Sequence, residues 1–130
     1  MRSISQTLRY SFEDTSLLDL SLTHKSSSGV NNERLEYLGD SLLNFIIAEE
    51  VFKRFKNLSE GKLTQFRASL VSRELLNDMG REIGLEGHVK LGKGETVEGN
   101  SILGNTFEAL MGAIYLDGGF DVVSQIISSL

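Results

Sequence analysis

The sequence predicts an all-α fold, about seven helices arranged around one long one. Three observations carry this. Asn31 to Phe55 reads as a single helix, free of proline and with Gly39 as its one glycine. Shorter apolar runs on either side recur at helical spacing, and most open on Ser, Asp or Asn, the residues that cap helix N-termini. One stretch, His88 to Leu91, reads as a short extended piece inside a loop.

In chain order, Ile4 to Leu8 is a short opening helix. Asp14 or Thr15 caps a second, whose apolar side is Leu17, Leu18, Leu20 and Leu22. The serine-rich run THKSSSGV is a loop leading into the long helix. Ser59 caps a helix through EGKLTQFRASLV, with Leu63, Phe66, Leu70 and Val71 at helical spacing. Ser72 caps the next, and Gly84 supplies its stop. The glycine-rich stretch from Leu85 to Gly99 has no periodicity and is expected to be the most mobile internal loop. A strongly apolar helix starts at Asn100 or Ser101 and runs to Asp117, and a last one covers Asp121 to Leu130. A helix apolar on most sides belongs at the centre.

The long helix has two faces. Asn31 and Asn32 suit its N-cap, Glu33 and Glu36 its positive end, and Lys53 and Arg54 its negative end. Leu35, Leu38, Leu42, Phe45 and Ile46 form a stripe roughly 100° wide that is expected to be buried. Glu33, Glu36 and Asp40 share a second face at i, i+3 and i+7. Gly39 costs roughly 1 kcal/mol against alanine in a helix, so a close neighbour is expected there: a second helix, or a second copy of this one.

At 130 residues the chain suits one domain, residues 1–130, and no repeat or second domain is visible. Apolar content of 40% and charged content of 24% are ordinary for a soluble globular protein. Prolines are absent. So are cysteines, which excludes disulfides, thiolate zinc sites and cysteine nucleophiles and suits a reducing, cytoplasmic compartment. Neither a membrane span nor a signal peptide is visible. A net charge of −5, taken alone, argues against nucleic acid as a partner.

The acids point to chemistry. Glu108 lies on the apolar helix without a basic neighbour in sequence, and an unpaired buried charge is expensive. If that helix packs beside the long one, Glu36, Asp40, Asn105 and Glu108 converge. Such an all-oxygen set suits magnesium or manganese. Two bland readings stand beside this one: Glu33 and Glu36 complement the helix dipole, and Glu108 pairs with Arg67 or Arg73.

The segment NERLEYLGDS at Asn32 to Ser41 resembles the signature of the ribonuclease III nuclease domain. Supporting segments follow in matching order: LTHKS at Leu22 to Ser26, EGKLTQFRASLV at Glu60 to Val71, and SILGNTFEAL at Ser101 to Leu110. The resemblance implies the all-helical fold of that family. It also implies a homodimeric, magnesium-dependent endoribonuclease that cuts double-stranded RNA to 5′-phosphate and 3′-hydroxyl ends and processes ribosomal, messenger and transfer RNA precursors. Manganese would substitute for magnesium. Glu36, Asp40 and Glu108 match the family's metal-binding acids, with Asp40 and Glu108 catalytic, and Glu33 and Glu60 match accessory acids. Asn105 falls where familiar members carry aspartate, and keeps one oxygen for a metal without the charge. Tyr37, beside Gly39, matches the residue that plugs into the other subunit. No histidine base is required, so His24 and His88 are expected to be structural or surface residues. Clustered acids and bound cations account for the negative charge. The family's C-terminal double-stranded-RNA-binding domain is absent from this chain, so a nuclease domain alone, excised or truncated, is expected. The alternative reading is a non-catalytic dimeric RNA-binding or scaffold module of the same fold, kept open by Asn105.

Overall fold

A computed structural model describes residues 2–130, and among them the expected helices form. They are α1 (Ile4–Leu8), α2 (Thr15–Ser21), α3 (Glu33–Arg54), α4 (Glu60–Leu70), α5 (Arg73–Glu82), α6 (Ile102–Gly118) and α7 (Phe120–Ser128), with a single 3-10 turn at Leu85–Gly87. Among the described residues β-pairing is limited to one isolated parallel bridge, Thr23 with Lys90. Its Lys90 end lies within the extended piece read from the sequence, and its Thr23 end in the serine-rich loop. No helix of the described residues is long and apolar enough to cross a membrane.

Local chemistry sets the boundaries. Ser3, Asp14, Ser59 and Ser72 each accept a backbone N–H of the following first turn. Gly84 ends the α5 segment in the left-handed region, at φ 81°, where a side chain would be strained. The start of α3 divides the capping work between its two asparagines. Asn31 Oδ1 accepts the Glu33 N–H at 3.0 Å. Asn32 is 2% exposed, and its Nδ2 donates to the Ser21 carbonyl at 2.9 Å. The first turn of α3, which carries Glu33 and Glu36, is thereby fastened to the end of α2.

The centre of the molecule is α6, buried from Ile102 to Ile114 except at Asn105. It packs most extensively on α3 and then on α5. The α3–α6 contact runs antiparallel and is closed by glycine on both sides. A Cβ on Gly39 would collide with the backbone carbonyl of Glu108, and one on Gly112 would stand 2.5 Å from the Leu35 carbonyl. The close neighbour expected at Gly39 is therefore α6 of the same chain. Gly39 is buried there, so it is not an anchor for a second copy.

This close approach also turns α3. Its buried line is Leu35, Gly39, Leu43 and Ile46, with Val51 beyond. Of the expected stripe, Leu38 and Leu42 are half-buried, and Phe45 is 57% exposed, covered in part by the ring of Phe120. The expectation missed because it placed the middle of the apolar side chains against the core. Backbone contact through Gly39 places the glycine's own meridian there instead. In α4 no residue is fully buried, and Phe66 is 39% exposed. That helix lies on the surface of α3, and Arg67 donates to Asn44 Oδ1 at 2.5 Å.

Candidate active site

Apposition of α3 and α6 at Gly39 sets Asp40 beside Glu108. Asp40 follows the glycine and is exposed, whereas Glu108 is 6% exposed. Together with Asn105, Ser101, Gly104 and Arg73 they line a cavity of about 170 Å³. The Glu108 acid is pushed up to about 9: first by burial, then by its hydrogen bond to Asp40, then by the charges of Asp40 and Glu36. Burial with no positive neighbour to oppose it favours the protonated form of Glu108. None of the ion pairs among the described residues supplies that neighbour. They are surface pairs, Lys53–Glu49, Arg54–Glu50, Arg81–Glu86 and Lys90–Asp19. The bland reading of Glu108 as a partner of Arg67 or Arg73 is not what forms, since Arg67 is taken up by Asn44.

The remaining acids fall at graded distances from this pair. Glu36, one turn before Asp40, is half-buried, and its acid is raised by burial and by Glu33, with Lys25 opposing and Asp40 adding to the rise. It feels the pair electrostatically but does not line the cavity. Glu33 is exposed and lines a different hollow, beside Tyr37. Glu60 is exposed in the first turn of α4 and lines neither. Asn105 is half-buried, and its Nδ2 donates to Ser101 Oγ at 3.3 Å. That leaves Oδ1 as the acceptor available to the cavity.

Fitness for a divalent cation follows from this donor set. Two carboxylates and an amide oxygen are hard ligands. A cation between them would relieve the repulsion that holds the Glu108 proton. As the side chains stand, no three His, Cys, Asp or Glu among the described residues are gathered closely enough to enclose a metal ion. The cavity is a two-acid corner with one amide, and Glu36 waits one turn away.

Two features were not read from the sequence. Ser101 lines the cavity with the acids, and so does Arg73, which the sequence offers only as an ion-pair partner of Glu108 and which forms no such pair. The second is a surface hollow of about 870 Å³ lined by Leu17, Leu20, Val30, Leu38 and Leu116, with Tyr37, 78% exposed, at its side. The histidines lie outside the acid cavity: His24 Nδ1 bonds Ser26 Oγ at 2.7 Å and His88 Nε2 bonds the Arg2 carbonyl at 3.2 Å.

Comparisons with known proteins bear on the family and the fold. A family model described as ribonuclease-III-like matches residues 14–130. Ribonuclease 3 of Marinomonas sp. is 48% identical over 130 residues, 97% of this chain and 57% of that protein. Ribonuclease 3 of Vibrio cholerae is 44% identical, over 98% of this chain and 58% of that one. The chain thus spans less than three-fifths of the length of these curated relatives. The nuclease domain of ribonuclease III from Campylobacter jejuni has a similar structure, with a TM-score of 0.91 at 35% identity over 97% of this chain and 92% of that one. It is described for flexibility in a region involved in dimer formation.

Proposed function

Because the chain belongs to the ribonuclease-III-like family, we propose that it is the nuclease domain of a magnesium-dependent endoribonuclease that cuts double-stranded RNA. The observation that carries the reading is the Asp40–Glu108 carboxyl pair, held in one cavity with Asn105 by glycine contact between α3 and α6. Residues 1–130 form one domain in this reading. Asp40, Glu108 and Asn105 hold magnesium, or manganese in its place, and Glu36 joins them from the preceding turn. Glu33 and Glu60 add negative charge at the rim. A bound divalent cation supplies an activated water and charge relief on the attacking and leaving oxygens.

The chain's own residues have distinct tasks. Glu108 sits deepest and must lose its proton for the cation to enter, so the site favours neutral to alkaline conditions. Asp40, exposed at the same point, faces the incoming RNA. Asn105 contributes an oxygen without charge, so fewer negative charges hold the cation than in a four-acid site. The products carry 5′-phosphate and 3′-hydroxyl ends, and the substrates are precursor RNAs of the cytoplasm.

Two copies act together. Tyr37 is a large aromatic side chain left almost wholly in water beside an apolar hollow of about 870 Å³. A two-fold dimer would place each Tyr37 in the hollow of the other copy, the reciprocal pattern that symmetric interfaces show. The Campylobacter jejuni neighbour, described for a region involved in dimer formation, supports this.

The test is direct: incubate the protein with a duplex RNA and with each of its single strands, with magnesium and with a chelator. Cutting of the duplex alone, with magnesium alone and with 5′-phosphate ends, supports the reading. An intact duplex at every magnesium concentration refutes it.

A further inference from the structure

We propose that Arg73 is a phosphate-contacting residue, gripping the backbone of bound duplex RNA next to the Asp40–Glu108 pair. Three observations carry this. First, Arg73 is the cation among the side chains lining the acid cavity, together with Asp40, Asn105 and Glu108. Second, it is exposed and forms no ion pair among the described residues, although two carboxyl groups line the same cavity. Arg67, the arginine of α4, is already engaged by Asn44. Third, the base of Arg73 is fixed to α6, the helix that carries Glu108 and Asn105. It opens α5 directly after Ser72, whose Oγ accepts the Leu75 N–H at 3.3 Å. On the same helix Asn77 accepts the Gly104 N–H at 2.7 Å and donates to the Asn100 carbonyl at 3.0 Å. Gly80 comes close enough to Leu103 that a Cβ would stand 2.8 Å from its carbonyl oxygen. The arginine is thus held rigidly at its root and left free at its tip.

The electrostatics favour such a residue. A phosphodiester approaching Asp40 and Glu108 meets like charge, and the uncharged Asn105 only partly eases this. A guanidinium at the cavity wall reverses the sign of the field along one side. Its planar fork can take two phosphate oxygens at once, which an ammonium cannot. The proposal rests on the duplex-RNA reading of the site and adds a specific contact to it.

The test compares the parent with Arg73→Ala and Arg73→Lys. Binding of a duplex RNA is followed in chelator across a range of potassium chloride concentrations, and cleavage in magnesium. Loss of one phosphate contact should lower the slope of log affinity against log salt by about one, and weaken binding on the order of tenfold near 0.1 M salt. KM should rise by a similar factor, with kcat changed less. Arg73→Lys should keep the salt slope and recover part of the affinity. Unchanged melting temperatures would separate these effects from folding. If Arg73→Ala binds with the parent's affinity and salt slope while the parent cuts duplex RNA, the contact is wrong and the proposed function stands. If the parent binds with the larger slope yet never cuts, the contact stands and the proposed function falls.

Discussion

Gly39 lies directly against the backbone carbonyl of Glu108, and this one contact organises the candidate site. It lets α3 and α6 approach at backbone distance, and it sets Asp40 and Glu108 side by side as a consequence.

Replacing Gly39 with alanine should therefore destabilise the protein. Helix propensity alone favours alanine by about 1 kcal/mol. A Cβ inside a backbone carbonyl cannot be relieved by a side-chain movement, so the helices must part, and overpacking of that kind costs about 1–3 kcal/mol or more. Urea denaturation of Gly39→Ala should give a clearly lower midpoint. A higher midpoint would mean that the helices are not in backbone contact.

Glu108 makes stability pH-dependent in the metal-free protein. Its acid stands at about 9 when folded against 4.5 for the free group. Its contribution is therefore fully present below about pH 4.5 and is lost as pH rises toward 9, because the folded state binds the extra proton. In chelator, the parent should lose stability steadily from pH 5 to pH 9, by on the order of a few kcal/mol. Glu108→Gln should flatten that part of the profile and be the more stable protein at pH 8. Parallel melting curves for the two proteins across this range would refute the raised Glu108 acid.

Much of this was legible in the sequence. The helices and most caps were, because periodicity and capping are local: Ser59, Ser72 and Asp14 each bond a backbone N–H two or three residues away. The Asp40–Glu108 pairing was legible for a different reason, since an acid on an apolar helix demands company. The rotation of α3 was not. Phe45 looks like a core residue by spacing, and only the glycine contact with α6 shows that it faces outward. Nor could spacing choose Arg73 over Arg67 at the cavity or separate Glu36 from it, because both depend on how the neighbouring helices cross α3.

Tyr37 should govern self-association without supporting the monomer. At 78% exposure it contributes little to its own chain. Tyr37→Ala should keep the parent's unfolding midpoint at low protein concentration, yet raise the dimer dissociation constant on the order of tenfold or more, as for an aromatic anchor. Sedimentation equilibrium measures this, and an unchanged dimer would remove Tyr37 from the interface.

Asn105 tests how the cation is held. Restoring a charge with Asn105→Asp should lower the magnesium concentration needed for half-maximal cleavage, since ligand charge sets affinity for hard cations. Manganese, which binds such sites more tightly than magnesium, should help the parent more than the variant, and Asn105→Ala should do worse than both. Coincident magnesium titrations for the parent and Asn105→Asp would mean that Asn105 only bonds Ser101.

The most direct measurement is the single-turnover cleavage rate of one duplex RNA by the parent and by Glu108→Gln, at the same saturating magnesium and with matched helical content. Glutamine keeps the shape and removes the charge. If Asp40 and Glu108 carry the chemistry, the parent cuts and Glu108→Gln leaves the duplex intact beyond background. Cleavage by Glu108→Gln at the parent's rate would contradict the site.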